Sequence, residues 1–527
     1  VVLLAISRAW AADWLYDLRG SGRWARLALL AVASLGLLLA TYVGYRAWGV
    51  PDIGPPFPAE ASRPPETVRP GEDAEAIYQR ASLGLRPLID PARDPGGEPA
   101  AISVARVITN GWDPERRAAV AWWEQNQEAI ALTRRGASRP VAPTPGAEDL
   151  EVAVDASPRF QNMLELARLM ALDARRRQDR GDLAGAWDDI LVLLRMGRQM
   201  TFRVGTIAPA FAPMVQAQAD WLGLDWAADP RQTIELLGAA LADLHRMPAN
   251  APLGEDVKAQ YVQMERFLGL SNDELLARFA PTWLGTHGDV RTLRPLPWPE
   301  RLVFAWGITP SWERQRARRV IRLLTAERLQ SVDNEPWKRH AERATGRGPI
   351  SDLFWPAAAP TRYFPPEELL SYAEGTPLVR LARPLLFDPE ARDRELVLRR
   401  ALVHVLALRR WQLRHDGRLP EALDELLPSE LPGLPMDPYS GRSFGYVHSQ
   451  GQALPPLRPR DVLTRALPPE APAPTRPGQR ILYSIGPDRG DNQASWDLDA
   501  VRAASTAASI VGDITFPLPF DASDHPR

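Results

Sequence analysis

The sequence predicts a mainly α-helical protein with a single transmembrane helix, an irregular α-helical domain and a small α+β domain at the C-terminus. A long uncharged apolar run lies near the start of the chain. Apolar residues then recur at helical spacing through most of the chain, which predicts helices packed on one another. Near the C-terminus they alternate with other residues over short runs, which is typical of strands.

The composition is that of a folded protein, and it excludes several classes of function. With 527 residues the chain is too long for one ordinary domain. Its 63 basic and 65 acidic side chains give a formal net charge of −2, so no nucleic acid partner is expected. The absence of cysteine excludes disulfides, thiolate zinc sites, iron–sulfur clusters and a cysteine nucleophile.

An uncharged stretch from Leu27 to Tyr45 is the predicted membrane anchor. Its roughly 19 residues form a helix of about 30 Å, the thickness of the bilayer core. Arginines are concentrated before this stretch. The positive-inside rule therefore predicts residues 1–26 in the cytoplasm, a transmembrane helix at 27–46 and the bulk of the chain outside the inner membrane of a bacterium. The alternative is a cleaved signal peptide, whose apolar run is normally shorter and ends in a small-x-small site.

A stripe of small residues on the predicted anchor indicates self-association. Gly36, Ala40 and Gly44 follow one another at intervals of four residues. They therefore share one helix face, along which two such helices can approach closely. The resulting prediction is a homodimer in the membrane.

Residues 47–72 are predicted to be a proline-rich linker, and residues 73–385 an extracytoplasmic α-helical domain. Four dipeptides place an N-capping side chain before a proline at the first helical position, and each predicts a helix start. In the third, Gln232 lies where it would complete a capping box. The four dipeptides are Asp113-Pro114, Ser157-Pro158, Asp229-Pro230 and Asp388-Pro389.

The clearest helices form a predicted antiparallel hairpin that begins at Ser157. Apolar stripes lie on both sides of Gly181, which ends the first helix, and Asp182, which caps the second. The arginines of the first helix are expected on its opposite face. The hairpin is similar to a tetratricopeptide unit, but no second copy follows at a period of about 34 residues. Further helices are predicted near residues 209–227, 230–246, 255–268 and 310–330.

The stretch from Gln315 to Arg322 is locally basic. It is interpreted as a solvated helix face. Contact with phospholipid or another anionic partner is the alternative.

From Pro389 onwards the chain carries several motifs in a fixed order. A predicted helix from Pro389 to Asp416 ends at Gly417, and the motifs after it are Leu419-Pro420, Asp437-Pro438-Tyr439, Gly441, Tyr446 and Leu482-Tyr483-Ser484-Ile485-Gly486-Pro487-Asp488. Together with Trp411, they resemble the globular domain of type II secretion major pseudopilins. The resemblance implies an α+β domain at residues 386–527, with a proline-rich insertion at 452–478. In a pilin, however, the membrane helix runs directly into this domain, whereas here it lies far upstream.

The same resemblance implies a calcium site in the acidic loop after these motifs. The ligands it offers are Asp488, Asp491, Asp497 and Asp499, since calcium takes about six to eight oxygen ligands. The loop lacks the glycine-rich spacing of that family. A solvated acidic loop without metal is therefore the alternative, and no other cofactor is expected.

No catalytic motif accompanies these features. His404 and His415 share a predicted helix but lie about 16 Å apart along it, which is too far for one metal. The paired carboxylates at Asp188-Asp189 and Glu421/Asp424/Glu425 are expected to be solvated or to cap helices. The leading interpretation is a non-catalytic scaffold or protein-interaction protein of the bacterial envelope. The alternatives are an accessory component of a type II secretion or pilus-like apparatus, and an envelope hydrolase with a tryptophan-lined groove and two facing carboxylates.

Overall fold

The structure, a computed structural model, is mainly helical. It describes residues 23–58, 73–88, 98–140, 150–201, 208–248, 250, 252–271, 274, 310–339, 389–454, 473–486, 491, 493–494 and 513–518. The helices in these ranges are α1 (Arg23–Trp48), α2 (Ala74–Gly84), α3 (Ala100–Asn110), α4 (Arg117–Gln125), α5 (Gln127–Ala137), α6 (Leu150–Asp179), α7 (Leu183–Thr201), α8 (Ala208–Ala227), α9 (Ile234–Arg246), α10 (Leu253–Gly269), α11 (Ser311–Ser331) and α12 (Pro389–Arg414). A 3₁₀ helix, η1 (Leu423–Leu426), comes next, and the strands are β1 (Gly445–His448), β2 (Ala453–Leu454), β3 (Ala473–Pro474), β4 (Arg480–Ser484) and β5 (Ile514–Pro517).

Two compact units divide the chain. The first comprises Val1–Pro56, Leu270–Leu323 and Ser371–Leu381, and the second comprises Phe57–Gly269, Leu324–Leu370 and Ala382–Arg527. The described part of the first unit is mainly α1 and the beginning of α11. The strands that the structure describes all belong to the second unit.

In the first unit, α1 contains an apolar segment, Leu27–Arg46, that is long and apolar enough to cross a membrane. Its large apolar side chains are open to the surroundings, with Leu35 67% exposed and Leu37 70% exposed. A helix buried in a soluble core would not expose such side chains. The predicted N-terminal apolar helix is therefore present.

Charged pairs join the beginning of α11 to the end of α1. Arg46 Nε donates to Glu313 Oε1 at 2.5 Å, and Arg322 pairs with Asp52 at 2.9 Å. Arg316 is only 2% exposed. The interpretation of this basic stretch as a solvated helix face is therefore wrong for Arg316, whose guanidinium carbon lies 5.6 Å from the centroid of the Tyr45 ring of α1.

The second unit is built around the predicted helical hairpin, α6 and α7. Gly181 joins the two helices with a φ of +81°, a conformation that glycine adopts at little cost. Asp182 Oδ1 then accepts the Gly185 N–H at 3.0 Å and caps α7. Helix α8 packs on α7, where the fully buried Trp226 donates its indole N–H to Leu183 O at 2.8 Å.

One arginine of α6 does not lie on the solvent face as expected. Arg175 is 6% exposed. Its Nε donates to Ile108 O at 2.9 Å, and its guanidinium pairs with Asp225. It is buried because α3 and α8 cover this side of α6 and supply its acceptors.

Three of the four predicted helix starts are displaced, including that of α9, which begins at Ile234 instead of Pro230. Helix α4 begins at Arg117, since Pro114 and the next residue form a turn instead. Helix α6 begins at Leu150, so that Pro158 lies inside it. An interior proline lacks the N–H that a helical hydrogen bond needs, and this helix nevertheless continues through it over 30 residues.

The capping box expected at Gln232 is also absent. Helix α9 is capped by Thr233, whose Oγ1 accepts the Leu236 N–H at 3.2 Å. Gln232 Nε2 instead donates to Trp226 O at 2.7 Å. The fourth predicted start is correct, since α12 begins at Pro389.

Helix α12 lies in the same hydrophobic core as the helices before it. It packs on α8 and α9. At Gly223 of α8 an added Cβ would lie 2.8 Å from Leu402, so glycine allows the two helices to approach closely. The core continues to Leu482 and Phe516 in the strands. The core therefore contains described residues from both sides of residue 386, the predicted domain boundary.

The strands form a small antiparallel sheet in the order β1–β4–β5. All five residues of β4 are buried, whereas the alternating pattern predicted one buried face. The difference arises because β4 is the central strand and is covered on both sides. Strand β5 was not predicted. Strands β2 and β3 pair at Ala453 and Pro474, close to the two ends of the predicted proline-rich insertion.

Candidate functional site

A cavity of about 390 Å³ lies in the helical body of the second unit. Its walls come from the end of α9, the start of α10, the segment 332–339 and the first half of α12. Volumes of this size are typical of small-ligand sites. The wall combines the apolar side chains Leu244, Met247, Leu253, Val332, Leu396 and Val403 with the charged side chains Asp333, Glu335, Arg339, Arg392, Asp393, Glu395 and Arg399.

Helical spacing explains why α12 supplies so many charges to one wall. Arg392, Glu395 and Arg399 follow one another at intervals of three and four residues, which places them on one helix face. The apolar Leu396 and Val403 lie on the same side. The helix therefore presents a mixed charged and apolar surface to the cavity.

Arg399 is held between two buried carboxyl groups. Its Nε donates to Asp220 Oδ1 at 2.6 Å, and its Nη2 lies 3.5 Å from Glu395 Oε1. Burial raises the pKa of Asp220 to about 7 in spite of the neighbouring guanidinium. Burial likewise raises the pKa of Glu395. Carboxyl groups with a shifted pKa are concentrated at functional sites, so Asp220 and Glu395 make this region a candidate site.

A second arginine fixes the segment that forms the opposite wall. Arg339 pairs with Asp393 of α12, and its Nη1 donates to Val332 O at 2.9 Å and to Asn334 O at 2.6 Å. In the same segment Asp333 Oδ1 accepts the Gly254 N–H at 3.0 Å. These bonds tie the segment to α12 and to the start of α10.

Asp256 and Arg392 extend the charged cluster towards α10. Burial raises the pKa of Asp256 to about 7. Burial also lowers the pKa of Arg392, against the opposing effect of nearby carboxylates such as Glu395. The interior beside the cavity therefore contains several ionisable groups that are removed from water.

A separate buried network lies around Asp189. We expected Asp189 to be solvated, but it is fully buried, while its neighbour Asp188 is exposed. Arg134 Nε donates to Asp189 at 2.7 Å, and Arg177 lies 3.1 Å from it. Burial raises the pKa of Asp189 to about 7. Because Asp173 also pairs with Arg134, this network joins α5, α6 and α7.

The motifs of the C-terminal part converge in space. Asp437 Oδ1 accepts the Ser484 hydroxyl at 2.6 Å, so the turn is bonded to the end of β4. Tyr439, in the same turn, is fully buried. Tyr446 donates its hydroxyl to Pro420 O at 3.3 Å. Segments that are distant in sequence thus form one cluster.

Of the four predicted calcium ligands, the structure describes Asp491 alone. Its Oδ1 accepts the Tyr483 hydroxyl at 3.0 Å and the Gln493 N–H at 3.0 Å. Asp488, Asp497 and Asp499 lie outside the described residues. Among the residues that are described, no three histidine or carboxylate side chains are grouped as a metal site.

The histidines of α12 and its end have structural contacts. His404 is fully buried, its Nδ1 lies 2.9 Å from Arg400 O, and burial lowers its pKa to about 4. His415 stacks on Trp411 with ring centroids 3.9 Å apart. Neither histidine lines the charged cavity.

The comparisons with protein-family models, with curated proteins and with solved structures found no match. The function is therefore argued from the residues themselves. The cavity is the best candidate site among the described residues because buried ionisable groups line it. Its described wall contains no tryptophan, so it is not the aromatic groove that we expected of a hydrolase.

Replacing Arg399 by methionine is expected to lower the free energy of unfolding at pH 7.5 by about 3–5 kcal/mol, because it leaves two buried carboxyl groups without their cation. The loss should be smaller at pH 5, because burial raises the pKa of Asp220 to about 7 and this carboxyl group is then protonated. Urea unfolding of the full chain in detergent, followed by circular dichroism, measures both values. The control is Arg400→Met, whose partners are Met436 O at 2.8 Å and Glu335 at 3.5 Å; it should cost less than about 1 kcal/mol. Equal losses would contradict the central role of Arg399.

Asp189→Asn is expected to weaken the pH dependence of stability. The folded-state pKa of about 7 lies above the ordinary 3.8, so the folded state binds this proton more tightly, and the free energy of unfolding falls as pH rises from about 4 through about 7. The substitution removes this titration, so the free energy of unfolding of the variant should fall by up to about 4 kcal/mol less than that of the wild type over the same pH range. Unfolding curves from pH 4 to 8 test this, with the exposed Asp188→Asn as control. An unchanged slope in Asp189→Asn would refute the assignment.

Proposed function

We propose that this chain is a single-pass, membrane-anchored protein of the bacterial envelope whose extracytoplasmic body binds other components and carries out no reaction. The observation that supports the proposal is α1, whose apolar side chains along Leu27–Arg46 are exposed to an extent that suits lipid. Arginines before this segment favour an N-terminus in the cytoplasm. The remainder then lies on the outer side of the inner membrane.

The surface of the body favours polar contacts with partners. Among the described residues beyond α1, the large apolar side chains that are exposed are Ile53, Leu83, Leu427 and Met436. They are scattered along the chain and do not suggest a contiguous apolar docking face. We therefore propose that partners are recognised through charged and polar groups, and through the cavity.

A more specific role is accessory to a type II secretion or pilus-like apparatus. Its support is the convergence of Asp437, Ser484, Tyr446 and Pro420, the motif residues that resemble those of a pseudopilin. In this proposal the C-terminal part contacts pseudopilins. Two chains whose anchors pair through Gly36, Ala40 and Gly44 would carry two C-terminal parts side by side. An added Cβ at Gly36 would meet no atom within 4 Å.

The proposed topology predicts that a reporter active only outside the cytoplasm, fused after Arg527, is active in cells. The reason is that the apolar helix directs the export of the chain on its C-terminal side. The matched control is the same fusion lacking residues 27–46, which should be inactive. Crosslinking in intact cells should then capture envelope proteins with the full chain. A reporter active only in the cytosol would contradict both the compartment and the partners.

The calcium proposal predicts a higher unfolding temperature of the full chain in calcium than in chelator, because a ligand bound only by the folded state stabilises it. Asp497→Asn should abolish the difference. The exposed Asp424→Asn, elsewhere in the C-terminal part, should retain it. Identical melting of the wild-type chain in calcium and in chelator would end the idea.

A further inference from the structure

Carboxyl groups outnumber guanidinium groups among the described residues around the cavity. Buried carboxyl groups lie in or beside its wall at Asp220, Asp256, Asp393 and Glu395, and the exposed Asp333 and Glu335 lie at its edge. The guanidinium groups are those of Arg339 and Arg392, which are buried, and of Arg399 and Arg400, which are partly buried. Burial raises the pKa of Asp220, Asp256 and Glu395 and so disfavours their ionised form. A ligand that carries positive charge would stabilise that form.

Glu395 is a carboxyl group of the cavity wall whose ion pair with Arg399 leaves hydrogen-bonding capacity unused. It is only 3% exposed, and it lines the cavity. Its nearest cation is Arg399, at 3.5 Å, and it accepts no hydrogen bond from any residue in the described ranges. Buried carboxylates normally accept such bonds, since their loss is costly. The side chain thus offers an acceptor to a donor inside the cavity.

The arginines of the wall already have acidic partners, although Arg339 Nε and Arg399 Nη2 make no hydrogen bond among the described residues. Arg399 is already bonded to Asp220. Arg339 is occupied by Asp393 and by two backbone carbonyls. Carboxylates surround Arg392 as well and raise its pKa against burial. An incoming phosphate or carboxylate would meet Glu395 and Asp393 in the same wall and be repelled.

The apolar part of the wall provides room for hydrocarbon. Leu253, Val332 and Leu396 line the cavity together with Glu395. Burying a short alkyl chain against them contributes roughly 0.8 kcal/mol for each CH₂ group. A ligand with one charged end and a short aliphatic body matches both parts of the wall.

We propose that this cavity binds a small aliphatic amine in its ammonium form, with the ammonium group donating to Glu395 and the alkyl chain packed against Leu253, Val332 and Leu396. The proposal rests on the binding function above and gives it a ligand class. An ammonium group has three N–H donors and no acceptor, so it meets the open acceptor without adding negative charge.

Thermal unfolding of the full chain in detergent tests the proposal, with 1-aminobutane and 1,4-diaminobutane as probes. The amines should raise the unfolding temperature in a saturable way, because they bind the folded state. The uncharged 1,4-butanediol, inorganic phosphate and an equal concentration of sodium chloride should not. Calorimetric titration of the same samples gives the affinities.

Two variants distinguish the site from a general effect of amines. Glu395→Gln should weaken amine binding at least tenfold, since it removes one charged hydrogen bond. Asp188→Asn changes an exposed carboxylate outside the cavity, and its affinity should stay within about twofold of the wild type. Circular dichroism confirms that both variants are folded.

Three results would overturn the proposal: equal stabilisation by the amines and by butanediol, equal amine affinity in wild type and Glu395→Gln, or stabilisation by phosphate instead. These measurements use purified protein and do not depend on its orientation in the membrane. If the amines do not bind, the reporter and crosslinking results still stand. Failure of those experiments would likewise leave the amine titration valid.

Discussion

Buried pairs of arginine and carboxylate determine how the helices of this protein are joined. Arg399 bonds to Asp220, which lies 179 residues earlier in the chain, and Arg339 pairs with Asp393. The chain has no cysteine, so disulfides cannot specify these long-range connections. Apolar side chains alone tolerate small shifts between helices, whereas a buried guanidinium must meet its carboxylate because the cost of leaving either one alone is several kcal/mol.

The helices themselves could be predicted from local patterns. Gly181 and Asp182 mark the turn of the hairpin because the conformation of glycine and the capping of an N–H are properties of a few neighbouring residues. The displaced starts at Pro114 and Pro158 show the limit of this approach. Proline permits a helix to begin, but the packing of the following segment decides whether it does.

The candidate site could not be predicted, since its walls come from four distant segments. The spacing of Arg392, Glu395 and Arg399 on α12 is visible in the sequence, yet it equally suits a solvated face. Asp220 lies inside an apolar helix, and that position was the one signal that it must be buried with a partner. Asp189 likewise lies within an apolar helical segment. It was interpreted as solvated or helix-capping together with Asp188, because carboxylates are usually exposed.

The core shared by residues on both sides of residue 386 has a consequence for fragments of the chain that are cut there. A fragment starting there would leave the surfaces of α8 and α9 that α12 covers in contact with water, and the upstream fragment would lose Leu402 from its closest packing at Gly223. Neither piece would keep its native interior. The described C-terminal residues share one hydrophobic core with α8 and α9 of the same unit.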